Sequence, residues 1–268
     1  MIAFRRPSHR VATMKHLWTL FFAEFIGTAL LVAVGVSFVI LDFGKGSPVA
    51  ALLPDPGLRL LITGFLFGAT GASIAVSPVG KTSGAHINPM VTLAFWLKGK
   101  MNSPNALGYI FAQLAGGIAG ALPLLVWGRM GASINFGGTF PGSGFTLLQA
   151  MLGEVAATFG LIAGLFLFLG HARLRAYTPL LFPFLYAAMV YLEAPVSGTS
   201  TNPARTIGPS LVASNWRGWW IYWLGPLLGT FLALAFTQIP WMRRFEVEVA
   251  KIYHFEHDPH GVFRSSGV

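Results

Sequence analysis

Two Asn-Pro pairs stand 114 residues apart: Asn88-Pro89 in "SGAHINPMVTLAFW" and Asn202-Pro203 in "SGTSTNPARTIGPSL". Around them lie most of the groups able to do chemistry: Ser83 and His86 in the first motif, Ser200 and Arg205 in the second. Glu24 and Glu154 add two acids well inside long apolar runs. Such a set suits three kinds of chemistry. Ser83 or Ser200 as nucleophile, with His86 as base, would make an intramembrane hydrolase. Carboxylates facing a substrate would make an ion- or proton-coupled transporter. Side-chain amides, backbone carbonyls and one fixed cation would make a passive conduit, which needs no covalent step. A spacing of three residues between Ser83 and His86 gives no sign of a hydrogen bond, so no enzyme is expected. No catalytic residue, metal site or cofactor is expected either, and the chain has no cysteine for thiolate or disulfide chemistry.

Asparagine caps a helix start, and proline is preformed for the first helical turn, where its missing N–H is no loss. Each pair therefore opens a helix, from Pro89 to about Leu97 and from Pro203 to about Val212. Nine residues rise ~13 Å, under half a bilayer. Two such half-helices, one from each face, would meet at the midplane with their positive ends together. The extended segments before them are tolerated at that depth only when buried in protein or lining an aqueous cavity.

The remainder of the chain must build the surroundings. Hydrophobic residues make up 54% and charged residues 10%, too little charge for a water-exposed globule; mean hydropathy is +0.64. Six apolar runs, 17–40, 58–77, 106–127, 147–169, 179–196 and 216–240, each approach the ~20 residues that cross a hydrocarbon core. Lipid cannot satisfy bare backbone amides, so the runs must be helices. "AEFIGTALLV" from Ala23 is echoed by "GEVAATFGLI" from Gly153, pairing Glu24 with Glu154. Each half then holds three spans and one Asn-Pro segment, so the second half enters the membrane inverted, with the site near the midplane. Glu24 and Glu154 are read as supports that accept backbone N–H bonds from the irregular loops. Gly64, Gly68, Gly71, Gly116, Gly117 and Gly120 suit close helix packing. Glu193 is expected at a solvated span end, and the tail with "HFEHDPHGVF" to be poorly ordered.

The net charge of +9 is a topology signal, not a nucleic-acid footprint. Arg5, Arg6, Arg10, Lys15, Lys81, Lys98, Lys100, Arg173, Arg175, Arg243, Arg244, Lys251 and Arg264 fall on one side; Lys45, Arg59, Arg129 and Arg217 fall on the other. That bias puts both termini in the cytoplasm. The expected organisation is a basic tail at 1–16, a membrane-embedded unit at 17–240 (repeats about 17–127 and 147–240) and a second tail at 241–268.

"AEFIGT", "SGAHINPM", "GTSTNPAR" and the order of six spans with two half-helices resemble the aquaporin (major intrinsic protein) family over roughly 17–240. The resemblance implies an all-α membrane protein with six transmembrane helices and two re-entrant half-helices in an inverted repeat. It implies a channel for water and other small uncharged solutes that excludes ions and protons, in a homotetramer with one pore per subunit. Its partners would be membrane lipid and the permeant solutes, and the expected location is the bacterial inner (cell) membrane. Carried over by position, Asn88 and Asn202 donate to a passing oxygen. The carbonyls of Gly84, Ala85, His86, Ile87, Gly198, Thr199, Ser200 and Thr201 form an acceptor ladder. Phe67 (or its neighbour Gly68), Val190, Thr199 and Arg205 form the filter, and Pro89, Met90, Pro203 and Ala204 complete the motifs.

Departures from the family pattern bear on the solute. Val190 stands where strict water channels resemble one another in carrying His, which widens the filter toward glycerol, urea, hydrogen peroxide or arsenite-type hydroxides. Thr206 follows Arg205 where glycerol specialists carry Asp, and Tyr222-Trp223 looks like the water type. Water is therefore the first expectation, small neutral solutes the second. Met90 replaces the usual Ala, and its flexible side chain must pack where the half-helices abut.

Overall fold

The computed structural model describes residues 14–243, 245–256, 258 and 262–263. Arg5, Arg6, Arg10, Arg244, His257, His260 and Arg264 lie outside them. The first span is α1 (Met14–Leu30), which passes through a π-helical turn (Leu31–Gly35) into α2 (Val36–Phe43). After the short α3 (Pro48–Leu52), α4 (Pro56–Val76) starts on Asp55, whose carboxylate accepts the Leu58 N–H at 3.0 Å. A short α5 (Pro78–Ser83) leads to the half-helix α6 (Pro89–Leu97). The third span, α7 (Ser103–Ala121), runs through a 3-10 turn (Leu122–Trp127) into α8 (Gly128–Ala132).

The second half repeats this order. α9 (Leu147–Gly170) opens on a capping box of Thr146 and Gln149, each serving a donor the first turn leaves open. α10 (Thr178–Ser197) ends at Gly198, the half-helix α11 (Pro203–Val212) follows, and α12 (Ile221–Phe236) closes the bundle. Among the described residues, five helical stretches are long and apolar enough to cross a membrane, and α12 is a shorter apolar helix of 16 residues. The run at 216–240 predicted a longer sixth span. Gly218, at φ +67, turns the chain before the helix begins, and beyond Phe236 the chain continues in turns through Pro240.

The helices interlock, within and between the halves, through residues lacking side chains. A Cβ at Gly64 or Gly68 of α4 would overlap the Tyr186 or Phe182 carbonyl of α10. Gly116 and Gly120 of α7 meet α1 in the same way, and Gly117 meets the Ala204 carbonyl of α11. Gly71, expected among these, has ordinary clearance and borders a cavity instead.

Two expectations about polar segments are corrected. Glu193 is no solvated span end: it is 9% exposed, because α10 continues another turn and packs it against Gly153 of α9. The described part of the C-terminal tail is not loose: Ala250 and Lys251 are fully buried, with Ile252 at 4% and Phe263 at 2% exposure. Asp42, two residues past the expected end of the first span, is a further buried acid on α2; it accepts the Thr63 hydroxyl.

Candidate functional site

Both half-helices start as their sequence demands. Asn88 and Asn202 are extended, at φ −154 and −147, and each is followed by proline. Asn88 Oδ1 accepts the Met90 N–H at 2.9 Å, and Asn202 Oδ1 accepts that of Ala204 at 3.0 Å. The amide nitrogens cross over: Asn88 Nδ2 donates to the Thr201 carbonyl at 3.0 Å, and Asn202 Nδ2 to the Ile87 carbonyl at 2.9 Å. The two helix starts are thereby tied tip to tip, and each amide keeps a second N–H.

The loops that lead in share one backbone shape. Gly84, Ala85 and Ile87 have φ of +88, +56 and +43; Gly198, Thr199 and Thr201 have +91, +50 and +53. Left-handed backbone is costly for β-branched residues, so something must hold it. Glu24 accepts the N–H groups of His86 (3.0 Å) and Ile87 (2.7 Å) and the Gln113 amide (2.7 Å). Glu154 accepts those of Ser200 (2.6 Å) and Thr201 (2.8 Å) and the Ser197 hydroxyl (2.7 Å). Tyr109 and Tyr222 hydroxyls donate to the Ser83 and Ser197 carbonyls, both at 2.7 Å. Charge-assisted bonds of this kind are what make a buried carboxylate tolerable.

A polar relay runs from Glu24 through the first loop. Gln113 Nε2 also donates to Thr92 Oγ1 at 2.9 Å, which bonds His86 Nδ1 at 3.1 Å. His86 Nε2 lies 2.9 Å from the Ala250 carbonyl, which can only accept, so that nitrogen carries the proton.

Two cavities lie beside the half-helices. Phe67, Val190, Thr199 and Arg205 all border one of ≈ 180 Å³. Arg205 Nη1 donates to the Gly137 carbonyl at 2.9 Å, with its Cζ 5.9 Å from the Phe67 ring. Thr199 Oγ1 finds no hydrogen-bond partner among the described residues. A narrower cavity of ≈ 40 Å³ is bordered by His86, Ile87, Asn88, Asn202, Gly68 and Ile252. Phe67 and Tyr186 border both, their ring centroids 5.4 Å apart, and the Tyr186 hydroxyl lies 2.9 Å from Thr201 Oγ1.

Of the eight expected ladder residues, His86, Ile87, Gly198 and Thr199 border these cavities; Gly84, Ala85, Ser200 and Thr201 do not. The carbonyls of Ile87 and Thr201 already accept the asparagine amides, and that of Gly84 accepts the Ile252 N–H at 3.0 Å. Pro89, Met90, Pro203 and Ala204 are buried and border neither cavity. Ser83 Oγ bonds the Val79 carbonyl and the Ala85 N–H, not His86. Sequence reasoning missed Tyr186, Gln113 and Ile252. Tyr186 was within reach, since it lies one helical turn before Val190 on the same face.

An inverted pair of half-helices, tied at their tips beside two cavities within a bundle of apolar spans, defines a membrane channel for small uncharged solutes. The family model described as "Major intrinsic protein" matches residues 11–236. The chain is 33% identical over 229 residues to the lens fiber major intrinsic protein of Gallus gallus, covering 83% of this chain and 81% of that one. It is 34% identical over 214 residues to aquaporin TIP2-2 of Zea mays, covering 79% and 82%. The fold matches the aquaglyceroporin structure from Plasmodium falciparum with TM-score 0.67 at 18% identity, over 85% of this chain and 98% of that one. The chain belongs to the major intrinsic protein family. It is an integral, multi-pass membrane protein and a passive channel for water or small neutral solutes, not an enzyme. None of these organisms is bacterial, so the relatives lend the expected bacterial inner membrane no support.

Proposed function

We propose that the chain conducts water in preference to larger solutes, in single file past Arg205 and then past Asn88 and Asn202. The observation that carries this reading is the pair Phe67 and Tyr186, which stands between the two cavities and leaves ≈ 40 Å³ beside the asparagines. That volume holds a few water molecules, each of which needs only about 10–15 Å³ of such space. A passing oxygen meets the second N–H of each asparagine and the Thr199 hydroxyl. Cations are repelled by Arg205 and by two helix starts aimed at the midplane. Orientation follows the basic residues: both termini lie in the cytoplasm and the Arg205 cavity faces outward. The working unit is 17–240, with tails at 1–16 and 241–268, assembled as a homotetramer.

One observation favours a second reading, a facilitator for glycerol, peroxide or metalloid hydroxides: with Val190 in place of an imidazole, the outer cavity reaches ≈ 180 Å³. Stopped-flow light scattering on reconstituted vesicles separates the two. The full chain is expected to raise water flux above protein-free vesicles, with a low activation energy and little glycerol flux. Tyr186→Ala should raise glycerol flux about tenfold, a barrier change of roughly 1.4 kcal/mol. Val190→His should preserve water flux and lower that of larger solutes. Fast glycerol entry in the unaltered chain would establish the second reading.

A further inference from the structure

We propose that the described residues of the C-terminal segment, 246–256 with 258, 262 and 263, are a tethered plug that closes the narrow end of the conduit from the tail side. The proposal rests on the channel reading and adds a regulatory element to it.

The chemistry of the contact is competition for the groups a permeant would use. Ile252 N–H donates to the Gly84 carbonyl at 3.0 Å, occupying the first acceptor of the Asn88 loop. The Ala250 carbonyl accepts from His86 Nε2 at 2.9 Å, occupying the end of the relay that starts at Glu24. The Ile252 side chain then stands at the border of the ≈ 40 Å³ cavity that Asn88 and Asn202 share. A branched apolar group offers a single file of water neither donor nor acceptor, so the hydrogen-bonded chain breaks there. Glycine at 84 permits the approach, because a Cβ would lie 2.9 Å from the Ala250 carbonyl.

The seat is built from both ends of the segment. Phe263 folds back so that its carbonyl accepts the Ala250 N–H at 3.4 Å, and Asp258 accepts the N–H groups of Val262 and Phe263. Arg175 grips Glu248 through two bonds, of 2.9 and 2.8 Å, anchoring the segment to the loop between α9 and α10. The Glu248 side chain is 66% exposed, and an ion pair so placed is weak. Burial of its apolar side chains seats the segment, and the tether to α12 holds it near that seat at high effective concentration when it is released. A few backbone bonds, the buried side chains of Val247, Val249, Ile252 and Phe263, and one surface ion pair make the contact that closes and reopens.

The test compares the full chain with a chain ending at Phe245, both reconstituted in vesicles and matched for protein content, with stopped-flow water flux as readout. The plug predicts at least about threefold faster shrinkage for the shortened chain, in proportion to the fraction of pores released. Adding a synthetic peptide of residues 246–263 on the tail side should reverse the gain. The full-length variant Ile252→Asp, which places a charge in the apolar seat, should reproduce it without shortening the chain and guards against misfolding of the deletion. Equal flux from all chains, above that of protein-free vesicles, overturns the plug while the channel reading stands. Flux at the protein-free level in every chain overturns both.

Discussion

Glu24 and Glu154 each gather three donors around one buried carboxylate, and in both cases two of the donors belong to a strained loop. Bonds to a charged group are worth about 1.5–3 kcal/mol each. Glu154→Ala should therefore lower the thermal midpoint of the detergent-solubilised protein sharply. Glu154→Gln, which keeps one acceptor oxygen but turns an N–H toward another N–H, should fall between. A Gln variant as stable as the parent would mean that the second oxygen does not hold the loop. These carboxylates were legible in the sequence because each stands alone in an apolar run. Tyr186 was legible only through its place one turn before Val190, because an aromatic in a span otherwise reads as lipid-facing or core until its neighbours across α4 are known. Glu193 misled for a related reason: nothing in the run 179–196 shows that α9 supplies a glycine for it to pack on.

At the scale of elements, the seam between α7 and α11 is set by Gly117, where an added Cβ would strike the Ala204 backbone. Backbone cannot move aside as a flexible side chain does, so Gly117→Val should cost at least the 1–3 kcal/mol typical of overpacking. Gly160 on α9 has nothing within 4 Å of where a Cβ would go, and Gly160→Ala should gain roughly 0.5–1 kcal/mol from helix propensity. Thermal unfolding of the two variants side by side checks both signs. The tail carries a pH dependence of its own. Lys251 is buried with its ammonium 4.5 Å from the Phe263 ring centre and 3.5 Å from the Lys81 carbonyl, with His86 and Asp258 also facing it. Loss of water pushes it down to about 8 from its ordinary 10.5, against the pull of Asp258. The seated tail thus binds fewer protons than the released one. Seating is weakest below about pH 8 and strengthens as pH rises toward 10.5. Water flux should fall between pH 7 and 9.5, and Lys251→Met should flatten that slope.

Across the whole molecule, one inverted design is applied twice. Hydrogen bonds to His86 and Ile87 recur at Ser200 and Thr201, 114 residues on, with the same left-handed backbone. The duplication was legible because a polar dipeptide in an apolar chain is conspicuous, and two copies fix the frame for everything between. The tail was illegible for the opposite reason. Val247, Val249, Ile252 and Phe263 are interspersed with charged and imidazole side chains, so no local stretch announces a buried segment. Its seat exists only once two distant loops have been folded.

The brevity of α12 reaches beyond the protein itself. Sixteen residues rise ~24 Å, less than the ~30 Å of a typical hydrocarbon layer. Exposed tryptophans bracket it, Trp216, Trp219 and Trp220 at one end and Trp241 at the other, and such rings favour the headgroup level. Lipid along this flank must therefore thin to meet them, at a modest cost for each ångström of mismatch. Reconstitution in a series of phosphatidylcholines of increasing acyl length should show the thermal midpoint greatest in the shorter-chain bilayers and declining as the tails lengthen.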